Sequence, residues 1–347
     1  MQSRIERLFF EIDDGAVLIK SYPNIFYYSG FTSEDAFLLI TRENRYIITD
    51  SRYFVQAGIE SPDFELVDIK KGWKYIFELV DGYKIYFEEN VLSYGMYKKL
   101  LGYTDNEFVA GQTQIDLPRR VKDYSEIQAI AEAEAIGDKA FSHILEILHA
   151  GMTEHEVALE LEMYMKRMGA TALSFDTISA SGVRSSMPHG TATDKVIKKG
   201  ELLTLDFGCI YKGYCSDMTR TVVVGTPDTL QKEIYDIVLA AQVSALDTLR
   251  VGAKCSEIDR VARLVISDAG YGENFSHSLG HSVGVEIHEN PVFSPKSIDT
   301  LENGHVMSVE PGIYIDGWGG VRIEDLIAVY DNEITNLTSS PKELIVI

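Results

Sequence analysis

Short apolar stretches separated by polar ones run through the first third of the chain. GAVLI (15–19), AFLLI (36–40), RYIITD (45–50), FELVDI (64–69) and KIYFEEN (84–90) are rich in β-branched and aromatic residues, which marks them as short strands. Helical stretches lie between them, so a small α/β domain is expected. After a polar segment at 111–120 the period changes. Ile127, Ile130, Ala133, Ile136, Ala140, Ile144 and Leu148 recur at helical spacing and predict one long amphipathic helix. The pattern places the boundary near Arg120, giving an N-terminal domain over 1–120 and a second domain over 121–347, a division that the chain length also favours.

The second domain repeats itself. Gly151, Glu156 and Gly169 in GMTEHEVALELEMYMKRMGA correspond to Gly252, Glu257 and Gly270 in GAKCSEIDRVARLVISDAGYG, each pair 101 positions apart. Both copies read as turn, amphipathic helix and glycine stop. Val157, Leu161, Tyr164 and Met168 form one apolar stripe and Ile258, Val261, Ala262 and Val265 the other, and both are expected in the core. GELLTLDFG (200–208) likewise matches GHVMSVEPG (304–312) at an offset of 104, which sets Asp206 and Glu310 at equivalent places. A duplicated α+β unit with facing halves and a cleft between them is expected.

Each of these acids has a second acid downstream. The midpoint of Asp206 and Asp217 falls between Tyr211 and Lys212, and that of Glu310 and Glu324 falls on Gly317, inside DGWGG. Residues equidistant from a hairpin turn face one another on one side of the strand pair, with Cβ atoms roughly 5 Å apart. Four carboxylates then converge from two hairpins. Like charges so placed repel, and burying them is costly without compensation. Arg220 and Arg322 could neutralise part of the charge, whereas two divalent cations would cancel all of it. An oxygen-rich set with one imidazole suits Mn²⁺, Co²⁺ or a similar ion. HSLGHSVGVEIHENP offers His277, His281 and His288, and MPHG offers His189.

Charge and cysteine content narrow the partners. With 32 basic and 53 acidic residues the formal charge is −21, which repels phosphate backbones and anionic lipid, so neither nucleic acid nor membrane is an expected partner. Three cysteines provide no disulfide framework and suit a reducing compartment, with the cytoplasm the expected location. The opening MQSRIERLFFEIDDGAV is interrupted by acids where a signal peptide is apolar, so no secretory route is expected.

DFG with an aspartate eleven residues on in SDMTRT, GHSVGVEIHENP, EPGIY and VRIED together resemble the metal centre of the pita-bread peptidases, the group of prolidase, aminopeptidase P, methionine aminopeptidase and creatinase. TDSRY (49–53) and its surrounding domain are similar to the creatinase-type N-terminal domain of prolidases and aminopeptidases P. The resemblance implies an α/β N-terminal domain followed by a pita-bread catalytic domain with a pseudo-two-fold repeat. It implies two metal ions, most simply Mn²⁺ with Co²⁺ or Zn²⁺ possible, held by Asp206, Asp217, His281, Glu310 and Glu324. It further implies that His189, His277, His288 and Arg322 line the substrate site, and that the chain forms a homodimer. The implied reaction is hydrolysis of the Xaa-Pro bond, in a dipeptide or at the start of a longer peptide. A hydroxide bridging the two ions would be the nucleophile, Glu310 would carry its proton, and His288 and His189 would hydrogen-bond the carbonyl oxygen.

Plainer roles compete for some residues. His143, His149, His155 and His305 lie on helices or turns without evident acidic partners and are expected at the surface. Cys209 and Cys215 flank the first hairpin turn and read as small buried hydrophobes. Arg322 could be only a salt-bridge partner of Asp217 or Glu324. Two other functions fit the fold. A methionine aminopeptidase would need no extra N-terminal domain, and a catalytically inactive binding relative would be expected to lose ligands that this chain keeps.

Overall fold

The computed structural model describes residues 4–12 and 14–347, and the chain divides into two compact units, 1–119 and 120–347. In the first unit the apolar runs become strands, trimmed at their ends: β1 (Ala16–Ile19), β2 (Phe37–Ile40), β3 (Arg45–Thr49), β4 (Glu65–Asp68), β5 (Ile85–Phe87) and β6 (Phe108–Ala110). They form one mixed sheet in the order β4-β3-β2-β1-β5-β6, antiparallel about β2 and parallel at both edges. β6 escapes the sequence pattern because three residues are too few to show alternation. The polar segment after it is helical, with a helix at Gln112–Asp116 and a 3-10 turn at Leu117–Arg120.

The second unit begins with the long helix, Tyr124–Ile147. Its start is set by a reciprocal cap in which Asp123 accepts from the Glu126 amide at 3.0 Å and Glu126 accepts from the Asp123 amide at 2.8 Å. All seven residues of the predicted stripe are buried. One fully buried acid, Glu134, interrupts that stripe.

Two hydrophobic cores follow the duplication. In the first, this helix and the helix Glu154–Arg167 cover strands Glu201–Phe207 and Met218–Val224. In the second, helices Thr229–Thr248 and Cys255–Asp268 cover strands Val306–Val309 and Asp325–Tyr330. The stripe of the first repeat helix is rotated from the expected one. Val157, Ala158, Leu161 and Met165 are buried, while Tyr164 is half-buried and Met168 is exposed. Tyr164 instead stacks on His143, with ring centroids 4.4 Å apart. No helix among the described residues is long and apolar enough to cross a membrane.

The histidines expected at the surface divide. His149 and His155 are exposed, but His155 pairs with Asp194 at 3.0 Å and the half-buried His143 pairs with Glu160 at 2.8 Å. His305 is buried, its Nδ1 accepting from the Glu302 amide at 3.1 Å. Burial, with Lys122 and Arg120 adding to it, pushes its pKa down to about 4. An unfolded histidine titrates near 6.5, so the unfolded chain takes up the proton first as pH falls. The stabilisation is whole above about 6.5 and is lost between there and about 4, by at most about 3 kcal/mol. His305→Asn, which keeps an acceptor, is expected to flatten the melting temperature of chelated protein over that window relative to wild type. Parallel curves for the two proteins would exclude this role.

Candidate metal centre

The first pair of acids lies on a hairpin whose turn is one residue later than the midpoint places it. Tyr211 pairs with Tyr214 across Lys212 and Gly213, which both take left-handed backbone conformations (φ 51° and 82°) and make a two-residue turn. Asp206 therefore stands opposite Thr219, not Asp217. The error spans two positions along the partner strand, which preserves the face. Asp217 is the diagonal neighbour of Asp206 on the same side. Between them the ladder is pinched at Gly208, where a side chain would bring its Cβ within 2.0 Å of the Ser216 carbonyl oxygen, so only glycine fits there.

The second hairpin has the midpoint register. Gly312 pairs with Arg322 and Ile315 with Gly319 about Gly317, and Val309 pairs with Asp325 in the same frame, so Glu310 and Glu324 face each other where the ladder is interrupted. The two hairpins are stitched together. Thr219 donates to a Glu324 carboxylate oxygen at 2.7 Å and its carbonyl accepts the Glu324 amide at 3.1 Å, while the Thr221 hydroxyl binds the Arg322 backbone through both its amide (3.1 Å) and its carbonyl (3.0 Å).

His281 enters from strand Gly280–Ser282, where the register against Glu289–Phe293 shifts between His281 and Ser282, an irregularity that re-aims side chains beside active sites. Its Nδ1 lies 3.2 Å from the Ser282 carbonyl, which can only accept, so Nδ1 carries the proton and Nε2 presents a lone pair. That lone pair faces Asp217 at 3.5 Å and Glu310 at 3.4 Å. A lone pair facing two carboxylates needs a cation between them.

The electrostatics point the same way. Burial, followed by the charges of Glu324, Asp206, Glu310 and Glu134, holds Asp217 well above the carboxylate range, and burial with Glu310 and Asp206 does the same to Glu324. Burial pushes Glu310 up to about 7, with Arg322 opposing and Asp206 adding. One oxygen each of Asp206 and Glu324 is buried without a hydrogen-bond partner. Donor atoms of Asp217, His281 and Glu324 all lie within 4.8 Å of one another. Carboxylate oxygens with one neutral imidazole form a donor set for a hard or borderline dication, and the residues fit such an ion.

The two arginines do different work. Arg220 does not reach the acids; it is buried against Asp325 at 2.8 Å and against the backbone carbonyls of Thr219, Glu324, Ser340 and Pro341. Arg322 pairs with Asp206 at 2.6 Å, not with Asp217 or Glu324, and its other donors go to the Thr219 hydroxyl (2.9 Å), the Tyr314 hydroxyl (2.7 Å) and the Pro188 carbonyl (3.3 Å). His277 gives its Nδ1 proton to the Ser278 carbonyl at 2.7 Å and accepts from Tyr314 at 3.0 Å. Both nitrogens are thus engaged, and burial pushes its pKa down to about 4.

Asp206, Asp217, His277, His281, Glu310, Arg322 and Glu324 line a cavity of about 620 Å³ that also contains His189, His288 and apolar walls from Phe175, Ile178, Ile287 and Val292. The His288 ring meets that of His281 edge to face, centroids 4.5 Å apart, and the residue is exposed. Partial desolvation, and then the imidazoles of His281 and His189, lower its pKa.

Three contributors went unnoticed in the sequence. Tyr314 braces Arg322, Thr219 bridges Arg322 and Glu324, and Glu134 accepts the Asp217 amide at 3.2 Å. Tyr314 lies in the EPGIY motif and could have been suspected from it. Glu134 carries a weaker signal, as one acid inside an otherwise apolar helical stripe.

A duplicated α+β cleft that buries carboxylates beside one unprotonated imidazole nitrogen defines a divalent-metal hydrolase. Residues 128–331 match Metallopeptidase family M24, and residues 3–121 match the Creatinase/Prolidase N-terminal domain. The chain belongs to metallopeptidase family M24 and has its pita-bread fold. It is similar to the Xaa-Pro dipeptidase of Pyrococcus horikoshii, 41% identical over 95% of this chain and 94% of that one. Among solved structures it resembles the Xaa-Pro dipeptidase from Bacillus anthracis (42% identity, 99% of each chain, TM-score 0.95) and the X-Pro aminopeptidase from Thermotoga maritima (38% identity, 100% of each chain, TM-score 0.92).

Proposed function

We propose that this metallopeptidase hydrolyses the peptide bond before proline, with two Mn²⁺ ions held by Asp206, Asp217, His281, Glu310 and Glu324. The observation that carries the reading is likeness along nearly the whole chain, at 41% and 42% identity, to proteins named as Xaa-Pro dipeptidases. The methionine aminopeptidase and inactive alternatives are not favoured by these relatives. When bound, the metal ions polarise the scissile carbonyl and make water nucleophilic at neutral pH.

The protein's own groups do the rest. Glu310 accepts a proton at a carboxylate oxygen and passes it to the leaving nitrogen. His288 and His189 donate to the carbonyl oxygen as charge develops there. The apolar walls receive the proline ring, whose nitrogen has no hydrogen to offer an ordinary subsite. Arg322 and His277 line the substrate site, where Arg322 also holds Asp206 in place and His277 braces Tyr314. Residence in the cytoplasm is part of this reading and accords with three free, buried cysteines. So is a homodimer formed through the N-terminal domain.

The test is relative hydrolysis of Ala-Pro, Ala-Ala and Ala-Pro-Ala by protein loaded with Mn²⁺, Co²⁺ or Zn²⁺. Ala-Pro is expected to exceed Ala-Ala by about 10-fold or more, the scale of discrimination an apolar pocket provides. Equal rates on those two would overturn the proline assignment, and a preference for methionyl peptides would favour a methionine aminopeptidase.

A further inference from the structure

Glu154 is fully buried at the first turn of helix Glu154–Arg167, outside the cavity. Its carboxylate accepts five hydrogen bonds, all from one stretch of chain. One oxygen takes the Ser181 amide (2.8 Å) and hydroxyl (2.9 Å). The other takes Arg184 Nε (2.9 Å), the Thr193 hydroxyl (2.7 Å) and the Thr193 amide (3.2 Å). Arg184 then reaches across to the Thr191 carbonyl at 2.6 Å, and the His155 amide donates to the Thr193 carbonyl at 3.0 Å. The donors thus bracket residues 185–192 at both ends, and that segment supplies Pro188, His189 and Thr191 to the cavity.

We infer that Glu154 is a positioning residue for catalysis, a buried clamp whose carboxylate fixes the His189 segment at the geometry the reaction needs. The inference rests on the proposed role of His189. Within the segment the Gly190 amide bonds the Met187 carbonyl (3.0 Å) and the Thr191 amide the His189 carbonyl (2.9 Å), while from the second hairpin the Gly320 amide donates to the Ser185 hydroxyl (2.8 Å) and Arg322 to the Pro188 carbonyl (3.3 Å), so the clamp at the ends shares the segment's placement with these two contacts. Glutamine at 154 matches the shape but turns an NH₂ group toward donors on one side, which breaks the clamp there without opening a void. A small displacement of a group that contacts the reacting carbonyl is enough to cost rate.

The experiment is a double-mutant cycle on metal-loaded enzyme with Glu154→Gln, His189→Ala and the pair, together with hydrogen exchange at Gly190 and Thr191. Glu154→Gln alone is expected to lower kcat about 10-fold or more with a smaller change in KM, and to speed exchange at both amides. Added to His189→Ala it should cost less than about 2-fold further, because the group it positions is already gone. Losses that multiply, or exchange unchanged in Glu154→Gln, overturn the clamp. Full activity in His189→Ala overturns the catalytic role of His189 instead and leaves the exchange result to decide whether Glu154 orders the segment. Should Glu154→Gln not fold, Thr193→Val removes one of the five donors and keeps the carboxylate. A smaller loss, again absorbed by His189→Ala, is expected from it, and a loss that multiplies overturns the clamp equally.

Discussion

Asp217→Asn is expected to abolish turnover while raising the melting temperature of the metal-free protein. Asp217 is buried, and its pKa is held high by burial and by four neighbouring carboxylates. A raised carboxylate pKa means that the folded state resists the ionised form, so at neutral pH the charge is a liability whenever no cation balances it. Asparagine keeps the shape and removes one negative charge. The Asp217 contact with Glu134 is made by the backbone amide and survives the change. Relief of about 1 kcal/mol corresponds to about 2–4 °C in a domain of this size. The same substitution removes a proposed metal donor, so Mn²⁺ should no longer raise the melting temperature and hydrolysis should fall below detection. Elemental analysis and melts with and without chelator read these effects. Wild-type turnover, or a metal-free variant that melts lower than wild type, would sink the assignment.

His288→Ala should lower kcat by about 10² and leave metal content unchanged, the size of effect seen when an oxyanion donor is removed. The lowered pKa keeps the ring neutral at pH 7, so it still carries one N–H. Its ring touches that of His281 without bonding any carboxylate of the cluster, so its loss should not disturb the ligands. A fall in kcat with KM little changed is the signature of an interaction made mainly in the transition state. His288→Gln, which can still donate, should retain more activity than His288→Ala. An unchanged kcat in His288→Ala would remove its role, and a loss of metal would show that it acts through His281.

Much of the fold is legible because apolar periodicity is local. Strands β1 to β5 of the first unit, the helix Tyr124–Ile147 and the duplication are readable, since each leaves its period in the chain, whereas β6 is too short to do so. The hairpin register was less secure. Counting inward from Glu310 and Glu324 finds Gly317, whereas counting from Asp206 and Asp217 misses the Lys212–Gly213 turn by one residue. That error did no harm to the site because a strand presents alternate residues to each face. The partners of the charges were not legible. Nothing in residue spacing says that Arg220 goes to Asp325, that Arg322 goes to Asp206 or that His305 is buried. Those pairings join residues distant in sequence, and tertiary packing alone decides them. Glu154 and Glu134 were hidden for the same reason, since a buried acid on a helix looks like a solvated one until its donors are known.

The threonine stitching between the hairpins bears on how this enzyme would fail. Thr219 and Thr221 belong to the first half of the duplication, and the backbone and side chains they bind belong to the second. Neither half owns a complete set of donors, and each leaves its acids mutually repelling when alone. Affinity for the ions is therefore a property of the union, and a lesion deep in either hydrophobic core, far from any ligand, would be felt first as weakened metal retention and only later as unfolding.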